Sequence, residues 1–189
     1  MATNSTFSSN QIILGIDPGT VIMGYGLIAI DNKKISLLTM GILRLNKYDG
    51  HALRLKKIFE RTLSLVEEYK PDALAIEAPF YGKNVQSMLK LGRAQGVAMA
   101  AALYRDIPIT EYTPREIKKS ITGNGTASKE QVAAMLTHLT NYDLSPETLD
   151  ATDGLAAAVC HHLKSGNLPT GKSYNSWKSF LKDNPERLK

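Results

Sequence analysis

The feature that most limits what this chain can fold into is a pair of short apolar runs, IILGI at 12–16 and ALAIE at 73–77, separated by a helical stretch. Strand, helix, strand in succession needs a crossover, so these two runs are expected to pair as parallel neighbours. Between them, GYGLIAI (24–30) and ISLLTMGILRL (35–45) read as two further strands. The polar turn DNKK (31–34) makes those two a hairpin. The first three strands then form an antiparallel meander, and the fourth joins by a crossover.

The intervening helix, 51–69, carries Leu55, Ile58, Phe59, Leu63 and Val66 at helical spacing, and Pro71-Asp72 stop it. After ALAIE come a helix rich in small residues (86–104), a strand IPITEY (107–112), and a helix PREIKKSI opened by proline. TGNGTAS reads as a mobile loop, KEQVAAMLTHL as a helix and ATDGLAAAVCHHL as the last helix. No repeat or inter-domain linker is visible. The result is one α/β domain over 11–165, with a polar N-terminal extension (1–10) and a polar, basic tail (166–189) that are both expected to be flexible.

A chain of 189 residues can bury a sizeable core. Its net charge of +5 mildly favours a polyanionic partner. The single cysteine, Cys160, excludes an intrachain disulfide and reads as a small core residue. No apolar run reaches membrane-spanning length, and MATNSTFSSN lacks the charged start and apolar stretch of a signal peptide. The expectation is a soluble cytoplasmic protein with no membrane partner.

The acids carry the chemistry. Asp17 and Glu77 each end one of the paired apolar runs, so adjacent parallel strands would bring both carboxylates to one sheet edge, where open α/β sheets bind ligands. Asp150 and Asp153, three apart, share one face of the last helix. Clustered carboxylates repel unless a cation offsets them, and oxygen-only donors suit Mg²⁺ or Mn²⁺. Two such ions about 3.5–4 Å apart can drive phosphodiester cleavage. Each acid has a plainer reading. Asp17 before Pro-Gly also starts a turn, and Asp150 and Asp153 also complement a helix dipole. Together, in this strand–helix order, the four favour a metal site.

The motifs ILGIDPGT…GYG, AIEAPFYGKN, LKLGRAQGVA, GTASKEQV and DATDGLAAAVCH, in this order between about residues 12 and 163, resemble the Holliday junction resolvases of the RuvC family. The resemblance implies a ribonuclease H-like fold: a five-stranded mixed sheet of order 3-2-1-4-5 with helices on both faces. It implies a homodimeric endonuclease using Mg²⁺, two ions per subunit, with Mn²⁺ as a substitute. Such an enzyme cuts two opposed strands of four-way junction DNA in recombination and repair, leaving 5′-phosphate and 3′-hydroxyl ends. The branch-migration proteins RuvA and RuvB are implied as partners. Asp17, Glu77, Asp150 and Asp153 take the places of the family's catalytic, metal-binding acids. Lys118 and Lys129 take those of its active-site lysines, with adjacent Lys119 an alternative to Lys118, and Phe80 that of its junction-inserting aromatic. Ala78-Pro79, between Glu77 and Phe80, departs from the family pattern, and the two terminal extensions carry none of its motifs.

From Lys83 to Lys119 the sequence carries seven basic residues (Lys83, Lys90, Arg93, Arg105, Arg115, Lys118, Lys119) against three acids (Asp106, Glu111, Glu116). A solvated helix face reads the same way, but beside a metal site a phosphate-tracking surface is favoured, with Lys83, Lys90, Arg93, Arg115 and Lys119 as its DNA contacts. In the small-residue helix, Gly92, Gly96 and Ala100 recur every four positions. That groove suits close packing on the sheet or a two-fold helix contact. His161 and His162, near the end of the last helix, would complement its negative end. Three rivals remain. A sugar-kinase or actin-like ATP-binding protein opens with a similar turn but needs two such domains. A ribonuclease H-like nuclease acting on RNA fits the basic surface equally well. A non-catalytic junction-binding module would not need all four acids.

Overall fold

The computed structural model of the chain describes residues 11–32, 34–79, 84–144 and 149–165. Phe80 and Lys83, and the two terminal extensions, lie outside the described residues. Strands β1 (Gln11–Asp17), β2 (Ile22–Asp31) and β3 (Lys34–Arg44) come first, followed by α1 (His51–Tyr69), β4 (Ala73–Glu77), α2 (Val85–Leu103) and β5 (Ile109–Tyr112). Helices α3 (Pro114–Thr122), α4 (Lys129–Thr140) and α5 (Leu149–Ser165) complete the chain. The five strands form one sheet in the order β3-β2-β1-β4-β5. β1 runs antiparallel to β2 and parallel to β4, and β4 runs parallel to β5, as the meander-then-crossover pattern requires.

Local signals set these boundaries. The β1–β2 turn is so tight that a Cβ at Gly19 would lie 1.7 Å from the Ile22 carbonyl oxygen, so only glycine fits. Lys70 caps α1 in the left-handed region. Thr113 and Glu116 form a capping box at α3, with Pro114 in its first turn. Ser128 and Gln131 do the same for α4. The TGNGTAS segment is tied by its own side chains. Thr126 N–H and Oγ1 both donate to Asn124 Oδ1 (3.0 and 2.9 Å), and Thr122 Oγ1 donates to the Lys118 carbonyl at 2.8 Å. The expected mobile loop is thus a pair of side-chain-closed turns.

Helices cover both faces of the sheet. On one, Leu14, Ile16, Leu27, Leu74 and Ile76 pack with α1 and α2. Of the α1 stripe expected from the sequence, Ile58 and Val66 are buried, but Thr62 and Leu65 occupy its centre while Phe59 and Leu63 stay half-exposed. α2 meets the core through Ala94, Ala98, Ala101 and Ala102, so Gly96 and Ala100 face outward. On the other face, Ile13, Ile28 and Ala75 pack with α3, α4 and α5, and buried Cys160 belongs to that core.

α5 lies directly on strand backbone. A Cβ at Gly154 would stand 2.5 Å from Tyr25 Cα, one at Gly15 2.1 Å from the Gly154 carbonyl oxygen, and one at Gly26 2.6 Å from Leu155 Cα. Alanine in place of a helical glycine ordinarily stabilises by about 1 kcal/mol. Gly154→Ala is expected to do the opposite, costing about 1–3 kcal/mol through overpacking. Urea unfolding measures the change, and a neutral or stabilising result would contradict the close approach.

Candidate active site

Asp17 and Glu77 are the last residues of β1 and β4, the two central parallel strands. Side chains alternate along a strand, so Asp17 shares the α5 face with Ile13 and Gly15, while Leu14 and Ile16 face the opposite core. The close seat of α5 then carries Asp150 and Asp153 to the same edge. A Cβ at Gly24, the β2 partner of Asp17, would lie 2.5 Å from the Asp150 carbonyl oxygen. Asp17, Glu77 and Asp153 line one cleft of about 300 Å³ with Lys118, Lys129, Pro114, Ile117, Val132 and Ala156.

The electrostatics of this cleft are unfavourable as it stands. Burial, with Asp153 and Asp150 nearby, pushes the Asp17 carboxyl up to about 7. Burial, then the charges of Asp17 and Asp153, push Glu77 up to about 8. Lys129 opposes both shifts. Its Nζ lies 2.6 Å from Asp153 Oδ2 and 3.9 Å from Asp150 Oδ1, and the hydrogen bond to Asp153 raises its own pKa. Asp153 is the more sheltered partner, 25% exposed against 56% for Asp150. Lys129 therefore stands in the cleft as the first residue of α4 and needs no loop movement to reach it.

α3 supplies the other lysine. Lys118 lines the acidic cleft, whereas Lys119, one residue on, lines separate clefts with Glu116. Two contacts hold α5 against this region: Lys164 Nζ lies 2.8 Å from Glu116 Oε1, and Tyr112 Oη lies 3.0 Å from His161 Nδ1. The Lys164 ammonium pulls Glu116 down to about 2. His161 thus engages β5, while His162 lies in the last turn of α5.

The remaining basic candidates are spread out. Arg115 borders two clefts beside the acidic one and lays its stem over Gly125, where a Cβ would meet Arg115 Cγ at 2.6 Å. Lys90 and Arg93 are exposed on α2 near His51, whose pKa falls through burial and then through those two charges. They do not line the acidic cleft. Sequence reasoning assigned no role to Gln95, which is buried and donates Nε2 to Glu111 Oε2 at 2.7 Å and to the Glu77 carbonyl at 3.4 Å. The signal was present: it is the one polar side chain on the buried Ala94–Ala98–Ala101 face of α2.

All four acids offer hard oxygen donors, the set that suits a divalent alkaline-earth cation. Among the described residues, no three acidic, histidine or cysteine side chains are gathered into a ready-made cage. Lys129 holds Asp153 instead. The donor chemistry and the crowding of carboxyls whose ionised forms the lysines only partly offset nonetheless fit a divalent metal.

Residues 13–161 match the family described as crossover junction endodeoxyribonuclease RuvC. A protein of Christiangramia forsetii described by the same words is 62% identical over 185 residues, covering 98% of this chain and 96% of its own length. The structure of Thermus thermophilus RuvC superposes with a TM-score of 0.75 at 28% identity, over 82% of this chain and 96% of that one. T. thermophilus RuvC in complex with a Holliday junction substrate gives 0.73 at 26% identity, over 82% and 95%.

The raised carboxyls have a stability consequence. A carboxyl whose folded pKa is raised contributes stability that is full below its ordinary value, 3.8 for Asp17 and 4.5 for Glu77, and that is lost as pH rises through about 7 and about 8. In chelator, Asp17→Asn is therefore expected to be more stable than wild type at pH 8, by on the order of 2 kcal/mol. The two should converge near pH 4, and Mg²⁺ should narrow the gap at pH 8 by binding folded wild type. Melting curves at both pH values check this. A gap independent of pH would mean that Asp17 titrates normally.

Proposed function

The chain belongs to the RuvC family of crossover junction endodeoxyribonucleases, and from that premise we propose that it resolves four-way DNA junctions by metal-dependent, paired nicking of opposed strands in recombination and repair. The products are ligatable nicks with 5′-phosphate and 3′-hydroxyl ends. The observation that carries this reading is the convergence of Asp17 and Glu77, from two parallel strand ends, with Asp153 and Lys129 in one cleft.

Asp17, Glu77, Asp150 and Asp153 are the residues that would hold Mg²⁺, two ions per subunit, with Mn²⁺ as a substitute. When bound, the metal activates water and stabilises the leaving oxygen of the phosphodiester. The protein supplies position and charge. β1 and β4 hold two of the acids on rigid strand ends, and Ala78 N–H donates to the Tyr112 carbonyl at 2.8 Å just beyond Glu77. Lys118 and Lys129 present ammonium groups to the non-bridging phosphate oxygens, where negative charge grows during cleavage. Lys90, Arg93 and Arg115 track phosphates farther out. Lys83 is assigned to the same surface and Phe80 to stacking on an unpaired base at the crossover, both by family resemblance.

A second copy of the chain completes the enzyme. The outward face of α2 is apolar and small: Val85, Leu89 and Leu103 are 65%, 51% and 57% exposed, and the space above Gly92 and Gly96 is open. That face suits a two-fold helix contact and would set two acidic clefts on two opposed strands. RuvA and RuvB are the proposed branch-migration partners, and the cytoplasm is the proposed site of action. No described helix is long and apolar enough to cross a membrane.

The test is cleavage of a mobile four-way junction beside duplex and RNA–DNA hybrid controls, with and without Mg²⁺. Paired, Mg²⁺-dependent cuts in the junction alone are expected, and preferential cutting of the hybrid would overturn the reading. Lys129→Ala should lower the single-turnover cutting rate by about a hundredfold while junction affinity changes little. Equal losses in rate and affinity would mark Lys129 as a phosphate anchor only.

A further inference from the structure

A second cleft, of about 740 Å³, opens at the end of β5 beside the acidic one. Ala78, Pro79 and Met88 form its apolar walls, and Glu111, Arg115 and Lys118 its polar ones. It shares Pro114 and Lys118 with the acidic cleft. The two clefts therefore adjoin, and a nucleotide next to a phosphate at Asp17 and Glu77 would lie within reach of this second space. The apolar walls suit the face of a base, and Arg115 at the rim suits a flanking phosphate.

Glu111 is out of place on a surface that meets a polyanion. It is not a fifth member of the acidic site, because it pairs in register with Ile76, whose side chain faces the α2 core, whereas Glu77 pairs with Tyr112 on the α5 side. It is also held in position. Gln95, only 7% exposed, donates to Glu111 Oε2 at 2.7 Å from beneath. A carboxylate fixed there repels phosphate and is satisfied only by a donor. On a nucleic acid the donors are on the bases: cytosine, adenine and guanine carry exocyclic amino groups, whereas thymine has only its ring N3–H, set between two carbonyl oxygens that repel a carboxylate. A base freed from stacking presents that edge.

We propose that this cleft is a base-reading subsite. It takes the base of one nucleotide flanking the scissile phosphate, and Glu111, oriented by Gln95, accepts a hydrogen bond from that base's exocyclic amino group. The proposal rests on the junction-nuclease reading above and adds to it a residue that selects where the cut falls.

The experiment compares single-turnover cutting of fixed four-way junctions that differ only in the two nucleotides flanking the cut. It includes cytosine against thymine, and guanine against inosine, which lacks the amino group. At one flanking position, wild type is expected to cut the amino-bearing member of each pair roughly tenfold faster. Glu111→Ala should bring both pairs close to unity. Glu111→Gln, which offers its own N–H to the thymine carbonyl, should tilt the first pair towards thymine. Glu111 is exposed, and Glu111→Gln keeps a side-chain oxygen that can accept from the buried Gln95 amide, so its altered ratio reports base reading rather than loss of that contact. Unchanged base ratios in both variants would overturn the subsite while leaving the nuclease reading intact. Failure of wild type to cut any junction would instead remove the nuclease reading itself.

Discussion

The site depends on a contact between backbones. Gly15 and Gly26 on the sheet and Gly154 on α5 leave no side chain between helix and strands. A helix packed on a sheet through ordinary side chains stands about a side chain's thickness away. Here the separation is smaller, and the consequence is chemical: acids from α5 reach the level of acids at the strand ends. The same closeness places Leu155, Ala156 and Ala158 in the core beneath the cleft, so the site rests on a packed floor.

This placement works against stability. Two carboxyls are held where burial and like charge raise their pKa values to about 7 and about 8, and Lys129, joined at Glu77 by Lys118, only partly compensates. Sites that need a cation accept such strain, and the rest of the fold offsets it. The capping boxes of α3 and α4 and the side-chain-closed turns between them do so locally. They also set Lys118 and Lys129 at fixed points on either side of the acids.

α2 has two roles on two faces. Its inward face packs through alanines and places Gln95 between the Glu77 carbonyl and Glu111. Its outward face presents Val85, Leu89 and Leu103 with open space above the glycines. One rigid helix thus links a surface suited to a second copy with the backbone of a catalytic strand. The small residues of α2 divide between these faces: Ala94, Ala98, Ala101 and Ala102 approach the sheet, and the groove of Gly92, Gly96 and Ala100 looks outward.

Much of this was legible in the sequence. Apolar runs ending in acids, with a helix between them, dictate parallel neighbours with carboxylates at one edge, because strand pairing and side-chain alternation are local rules. The shared edge of Asp17 and Glu77 follows from them, and helix limits to within about two residues follow from periodicity and capping; the full sheet order was implied by the family resemblance, and Asp150 and Asp153 reach that edge through the close seat of α5. Other features depended on distances between segments far apart in sequence. The choice between Lys118 and Lys119 is one: neighbours on a helix differ by about a hundred degrees in direction, and only the docking of α3 decides which enters the cleft. The ordering of the TGNGTAS turns is another, since composition marks flexibility but not which hydroxyl closes on which carbonyl. Glu111 counted only as one of three acids diluting a basic stretch. That it is pinned by Gln95 beside the cleft required β5 to lie next to β4 and α2 to cross beneath both. The sequence by itself determined which groups are available and which edge they share. Tertiary packing decided which of them touch, because contact between remote residues is set by how closely backbones approach, and here that approach is governed by glycines that carry no chemistry of their own.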